Sequence, residues 1–116
     1  MSIFTTKKQK IAKYLNQKTD IKCAFDVLLA NFLDGTLKES LSFIGIGKVE
    51  IHVDWLDSIK CIGIQGRYKE YYMDLQIYPN EFTISFNLDE ADEYESFPLE
   101  SKEQLFNTLI GIIKKL

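Results

Sequence analysis

Three stretches in the middle of the chain alternate apolar and polar residues with a period of two, and a fourth, largely apolar stretch lies among them. Val49, Ile51, Val53 and Trp55 alternate with Glu50, His52 and Asp54. Tyr71, Met73, Leu75 and Ile77 alternate with Tyr72, Asp74, Gln76 and Tyr78, and Phe82, Ile84 and Phe86 with Thr83, Ser85 and Asn87. Successive side chains on a strand point to opposite faces, so each of these three runs predicts a strand with one buried face and one wet face. In the other stretch, Ile59, Cys61 and Gly63 interleave with Lys60, Ile62 and Ile64, which predicts a central strand buried on both sides. Asp57-Ser58, Gln65-Gly66-Arg67 and Pro79-Asn80 are the expected turns. Connections this short favour an antiparallel four-stranded meander.

A period near 3.6 governs the two ends. Phe4, Ile11, Tyr14 and Leu15 mark one face of a first helix with lysines around the rest. Ile21, Phe25, Leu28, Leu29 and Phe32 mark a second, which Thr19 or Asp20 can cap and Asp34-Gly35 stops. Cys23, Phe25, Val27 and Leu29 also alternate, so a strand over residues 21–33 is the competing reading. Leu41 and Phe43 lead to Gly45-Ile46-Gly47, a bend or a short strand. Near the C-terminus, Ser101-Lys102-Glu103-Gln104 is a capping box, followed by the stripe Leu105, Leu109, Ile112 and Leu116. A sheet with one apolar face has to cover it, and helices are the available cover. The expectation is an α+β fold: a four-stranded antiparallel meander with two N-terminal helices and one C-terminal helix packed on one face.

At 116 residues, 46% of them hydrophobic, the chain has the material for one core, and residues 1–116 read as a single domain. The net charge of −3 hides an asymmetry. Residues 1–22 carry six lysines against one aspartate, and residues 81–103 carry eight acids against one lysine. This balance argues against a nucleic-acid partner. The start, Met-Ser-Ile-Phe-Thr-Thr-Lys-Lys, lacks the apolar core of a signal peptide, and no run approaches the ~18 apolar residues of a membrane span. The expected location is the cytoplasm, a bacterial one by its lysine and isoleucine usage. Cys23 and Cys61 are expected to be buried free thiols.

Candidate chemistry is sparse. Glu50, His52 and Asp54 share a strand face, where a carboxylate could pair with the imidazole. No nucleophile or second base accompanies them, and a solvent-facing row explains them equally. Gly45-Ile46-Gly47 lacks the GxxxxGKS pattern of a phosphate loop. A single histidine and two separated cysteines do not make a zinc site, and the acidic run lacks the ligand alternation of a calcium loop. No catalytic residue, metal or cofactor is expected, and the protein reads as a non-enzyme.

The strongest functional signal is electrostatic. Asp89-Glu90-Ala91-Asp92-Glu93-Tyr94-Glu95 sets five carboxylates in seven residues. Such a cluster repels itself, so it lies in water or faces a basic partner. Tyr72 and Tyr78 on the polar side of the third strand add aromatic area of the kind that anchors interfaces. The expected partner-binding residues are therefore Asp89, Glu90, Asp92, Glu93, Tyr94 and Glu95, with Tyr72 and Tyr78.

The segment Tyr78-Pro79-Asn80-Glu81-Phe82-Thr83-Ile84-Ser85-Phe86-Asn87, the acidic loop over residues 89–95 and the helix to Leu116 resemble, in style, the small immunity proteins of bacterial polymorphic toxin systems. The resemblance covers about a third of the chain, and the lysine-rich N-terminus departs from it. It implies a stoichiometric inhibitor of a basic protein, such as a cognate toxin. The alternative is a small-ligand or peptide-binding domain that uses the sheet face and its tyrosines. A monomer is expected, or a homodimer paired through an edge strand or the tyrosine surface.

Overall fold

A computed structural model of the chain describes residues 23–88 and 93–116. The element order is α1 (Ala24–Leu33), α2 (Thr36–Phe43), β1 (Gly47–Leu56), β2 (Ile59–Tyr68), β3 (Tyr71–Ile77), β4 (Glu81–Asn87), β5 (Glu95–Pro98) and α3 (Lys102–Ile113). The strands form one antiparallel sheet in the order β1-β2-β3-β4-β5. The α+β class and the meander are as the alternation requires, with a fifth strand added. The first expected helix, with Phe4, Ile11, Tyr14 and Leu15, lies outside the described residues, as do Asp89, Glu90 and Asp92.

One face of the sheet carries the core. Ile62, Ile64, Met73, Leu75, Ile77, Phe82 and Ile84 are buried there against Phe25 and Leu28 of α1, Leu37 and Leu41 of α2, and Leu105 and Leu109 of α3. Burying a leucine, isoleucine or phenylalanine side chain contributes roughly 1.5–3 kcal/mol, so this single layer contact dominates the fold. Residues 24–33 are helical rather than extended because Phe25 and Leu28 meet the core on one helical face.

The helix α2 covers residues to which the pattern assigned no element, and the bend expected at Gly45-Ile46-Gly47 follows it as the turn into β1. Leu37 and Leu41, four residues apart, are fully buried. Asp34 ends α1 and also starts α2, since its carboxylate accepts the Thr36 N–H at 2.8 Å. That bond holds the Asp34 carboxyl below its usual range. Gly35, at φ 84°, supplies the left-handed residue between the two helices. Eight residues with two core leucines are too short a signal to stand out in sequence.

The fifth strand follows the acidic run. Phe97 stacks on Phe82 with ring centroids 5.4 Å apart, and the Leu99 N–H donates to the Asn80 carbonyl. The expected capping box is present in modified form. Gln104 N–H donates to Ser101 Oγ at 3.0 Å. The Gln104 side chain accepts from the Glu100 N–H and donates to the Pro98 carbonyl, which ties the start of α3 to the end of β5.

Four further expectations change. Gln65-Gly66-Arg67 is not a turn: β2 runs on to Tyr68, and Gly66 is buried inside it. A β-bulge between Gly47 and Glu50, with Lys48 at φ 53°, presses β1 against Gly66. A Cβ there would sit 2.7 Å from Ile46 Cγ2 and 3.1 Å from the Gly47 carbonyl oxygen, so only glycine fits. Trp55 belongs to the apolar row of β1 yet is 67% exposed, close to the β1–β2 turn. The Lys60 ammonium lies over its ring at 5.2 Å. Of the two thiols, Cys61 is buried but Cys23 is exposed at the start of α1, where its Sγ donates to Asp26 Oδ2 at 3.2 Å. Leu116, at the end of the expected stripe, is exposed.

Gly66→Ala is expected to lower stability by roughly 1–3 kcal/mol in a denaturant titration, since the new methyl meets backbone as well as a side chain. The turn between β1 and β2 predicts the opposite sign. Asp57 and Ser58 both adopt positive φ (51° and 70°), the geometry that favours glycine at the second position. Ser58→Gly is expected to raise stability by about 1 kcal/mol in the same titration.

Candidate functional site

The face of the sheet turned away from the helices carries the polar half of each alternating run. Register fixes which residues meet. Asp74 pairs with Ser85, Gln76 with Thr83, and Thr83 in turn with Ser96 of β5. The middle of this face is therefore floored by short side chains, while longer ones stand around it. The result is a concavity of about 710 Å³.

Its walls combine aromatic and acidic groups. Tyr78 and Tyr94 line it together with Asp74, Glu81 and Glu93. Gln76 lies along the same side, its Nε2 donating to Asp74 Oδ1 at 3.2 Å. Among the described residues, no lysine or arginine lines the groove. Tyr78 continues the β2–β3 register, which places it beside Cys61, and partial burial pushes its phenol pKa up. The nearby Cys61, Glu81, Tyr94 and Asp74 add to the rise, because negative charge opposes forming a phenolate. Tyr78 therefore stays a neutral hydrogen-bond donor in an electronegative groove.

The structure thus brings Tyr78, Glu93 and Tyr94 of the expected site together and adds Asp74 and Glu81 to them. Tyr94 is 66% exposed, at the mouth. Tyr72 is on the same face but outside the groove. The Arg67 guanidinium, its register partner, lies over its ring at 4.2 Å. Glu95 pairs with Ile84 and so belongs to the helix-side face, where it shares a cleft with Lys115. The remaining members, Asp89, Glu90 and Asp92, lie outside the described residues.

Asp74 and Glu81 could have been suspected from their outward parity. Their convergence with Glu93 could not, because it depends on β5 pairing with β4. The row Glu50, His52 and Asp54 is on the open face as expected, with His52 Nε2 3.2 Å from Asp54 Oδ2. The imidazole lies against Gly63, where a Cβ would come within 2.5 Å of Nε2.

Among the described residues there is no group of three or more His, Cys, Asp or Glu side chains placed to hold a metal ion. No described helix is long and apolar enough to cross a membrane. No protein-family model matches the chain, and no curated protein or solved structure shows significant similarity to it.

The Tyr78 environment gives a pH prediction. A raised folded-state pKa means that the protonated phenol stabilises the fold fully below the unfolded value of about 10. That contribution is lost as pH rises through the folded value. Chemical denaturation of the wild type and Tyr78→Phe between pH 8 and 11.5 is expected to show the wild type losing stability relative to the variant above pH ~10.

Proposed function

We propose that the chain is a non-enzymatic, cytoplasmic protein-binding module that receives a basic segment of its partner in the groove on the open sheet face. In this reading it acts as an immunity or anti-toxin type inhibitor of a basic protein. The observation that carries it is the convergence of two tyrosines and three carboxylates around one concavity that no described lysine or arginine lines. A partner arginine or lysine entering there meets aromatic faces and carboxylates together. The acids Asp89, Glu90 and Asp92 precede Glu93 in the chain and add to the negative charge of this part of the sequence, of the kind that steers a basic partner.

The second reading, a small-ligand or peptide site, is favoured by the size of the groove, which falls in the range of ligand pockets. Its lining argues for the protein partner. Ligand pockets are mostly apolar, whereas this floor is threonine and serine.

Heteronuclear NMR titration with an oligoarginine peptide and with an oligoglutamate control tests the proposal. The cationic peptide is expected to shift Tyr78, Thr83, Ser85 and Tyr94 resonances, with affinity that falls as salt rises. Asp74→Asn, Glu81→Gln and Glu93→Gln combined are expected to weaken it about tenfold or more, since exposed pairs contribute up to about 1 kcal/mol each. Shifts scattered over the surface, or an affinity unchanged by the triple substitution, would remove the groove from the mechanism.

A further inference from the structure

The helix layer carries an open apolar groove between α2 and α3. Glu39, Ser40 and Phe43 of α2, Ile44 at its C-cap, and Phe106 and Ile110 of α3 line a concavity of about 440 Å³. Ile44 and Phe106 rest on the core, whereas Phe43 is 91% exposed, the most of any described large hydrophobic side chain. A phenyl ring beside an apolar groove gains by being covered.

The chain itself holds a matching surface. Phe4, Ile11, Tyr14 and Leu15 recur at the helical period, and such a stripe draws most of its stability from packing on another apolar surface. The 22 residues that precede Cys23 end at the N-cap of α1. That helix packs against both α2 and α3, so the segment joins the described structure in the layer that holds the groove. Residues 16–22 separate the stripe from α1. Seven residues reach up to ~23 Å, more than twice the ~10 Å between the axes of packed helices.

Charge points the same way. Residues 1–22 carry six lysines and one aspartate, a balance of +5; the eight cations and sixteen acids of residues 23–116 leave −8. Glu39 lines the groove, and Glu103 stands one helical turn before Phe106 on α3. The acidic groove on the open sheet face offers charge as well, but its floor of Thr83, Ser85 and Ser96 gives Phe4, Ile11 and Leu15 nothing apolar to bury against.

We propose that residues 4–15 dock as a helix in the α2–α3 groove of their own chain, with the apolar stripe on Phe43, Phe106 and Ile110 and the neighbouring lysines toward Glu39 and Glu103. Docking there does not depend on the proposed function, since the two grooves are on opposite faces of the sheet. It has a consequence for that function: a lysine-rich segment held in the helix layer does not compete with a basic partner for the acidic groove of its own molecule.

Nuclear Overhauser spectra of the full, isotope-labelled chain test the proposal. Contacts are expected from Ile11, Tyr14 and Leu15 to Phe43, Phe106 and Ile110. In a mixed sample of labelled and unlabelled chains they are expected to be absent from the isotope-filtered spectrum, because they arise within one molecule. Phe43→Ala and Leu15→Ala are each expected to lower the urea midpoint, and the double variant to fall close to the single ones, because both remove the same contact. A ring as exposed as Phe43 can be removed without opening the described core. An unchanged midpoint for Phe43→Ala, or fully additive shifts, would overturn the proposal. So would the absence of these contacts, or contacts that run instead to Val49, Ile51 and Val53 or to Tyr78 and Thr83. Contacts found only in the filtered spectrum would give the groove to a second copy and overturn it as well.

Discussion

The burial of one face of the meander under three helices is the constraint on which the rest of the molecule depends. Side chains on a strand alternate strictly, so a register slip of one residue would carry Met73, Leu75 and Ile77 into water and Asp74 and Gln76 into the core. The apolar face therefore fixes the polar face as well. The row that builds the groove has its position because the opposite row has no other acceptable place.

The same logic explains how the groove acquires its depth and sign. Short side chains at Thr83, Ser85 and Ser96 line up across two strand pairs because register demands it. Tyr78 and Tyr94 stand at the ends of their runs, where the chain leaves or approaches the sheet. The chain's arginine and two of its lysines are engaged elsewhere, over Tyr72, Trp55 and Tyr68. Burial of the Tyr78 phenol, and after it the nearby Cys61, Glu81, Tyr94 and Asp74, push its pKa up.

The parts of this fold that are legible in sequence are those with a repeating pattern. The alternation over residues 71–78 and 82–87 places every inward and outward residue of β3 and β4 correctly, and Ser101 to Gln104 marks the start of α3. The parts that escape are set by single tertiary contacts. The helix α2 rests on two leucines, β5 on one phenylalanine stacking against Phe82, and the burial of Gly66 on a bulge in the neighbouring strand. Trp55 follows the apolar row of its strand but is exposed, and pattern alone does not show where a covering layer ends. For the site, Tyr78, Glu93 and Tyr94 are legible from composition, whereas Asp74 and Glu81 join them through strand pairing.

Pro98 on the outermost strand has an effect beyond its own position. A sheet that could accept neighbours at both ends would grow without limit, copy upon copy, into a filament. Here the terminal strand is brief and lacks one of its backbone donors, so accretion there is arrested. That proline makes this edge of the described sheet a poor template for a further strand.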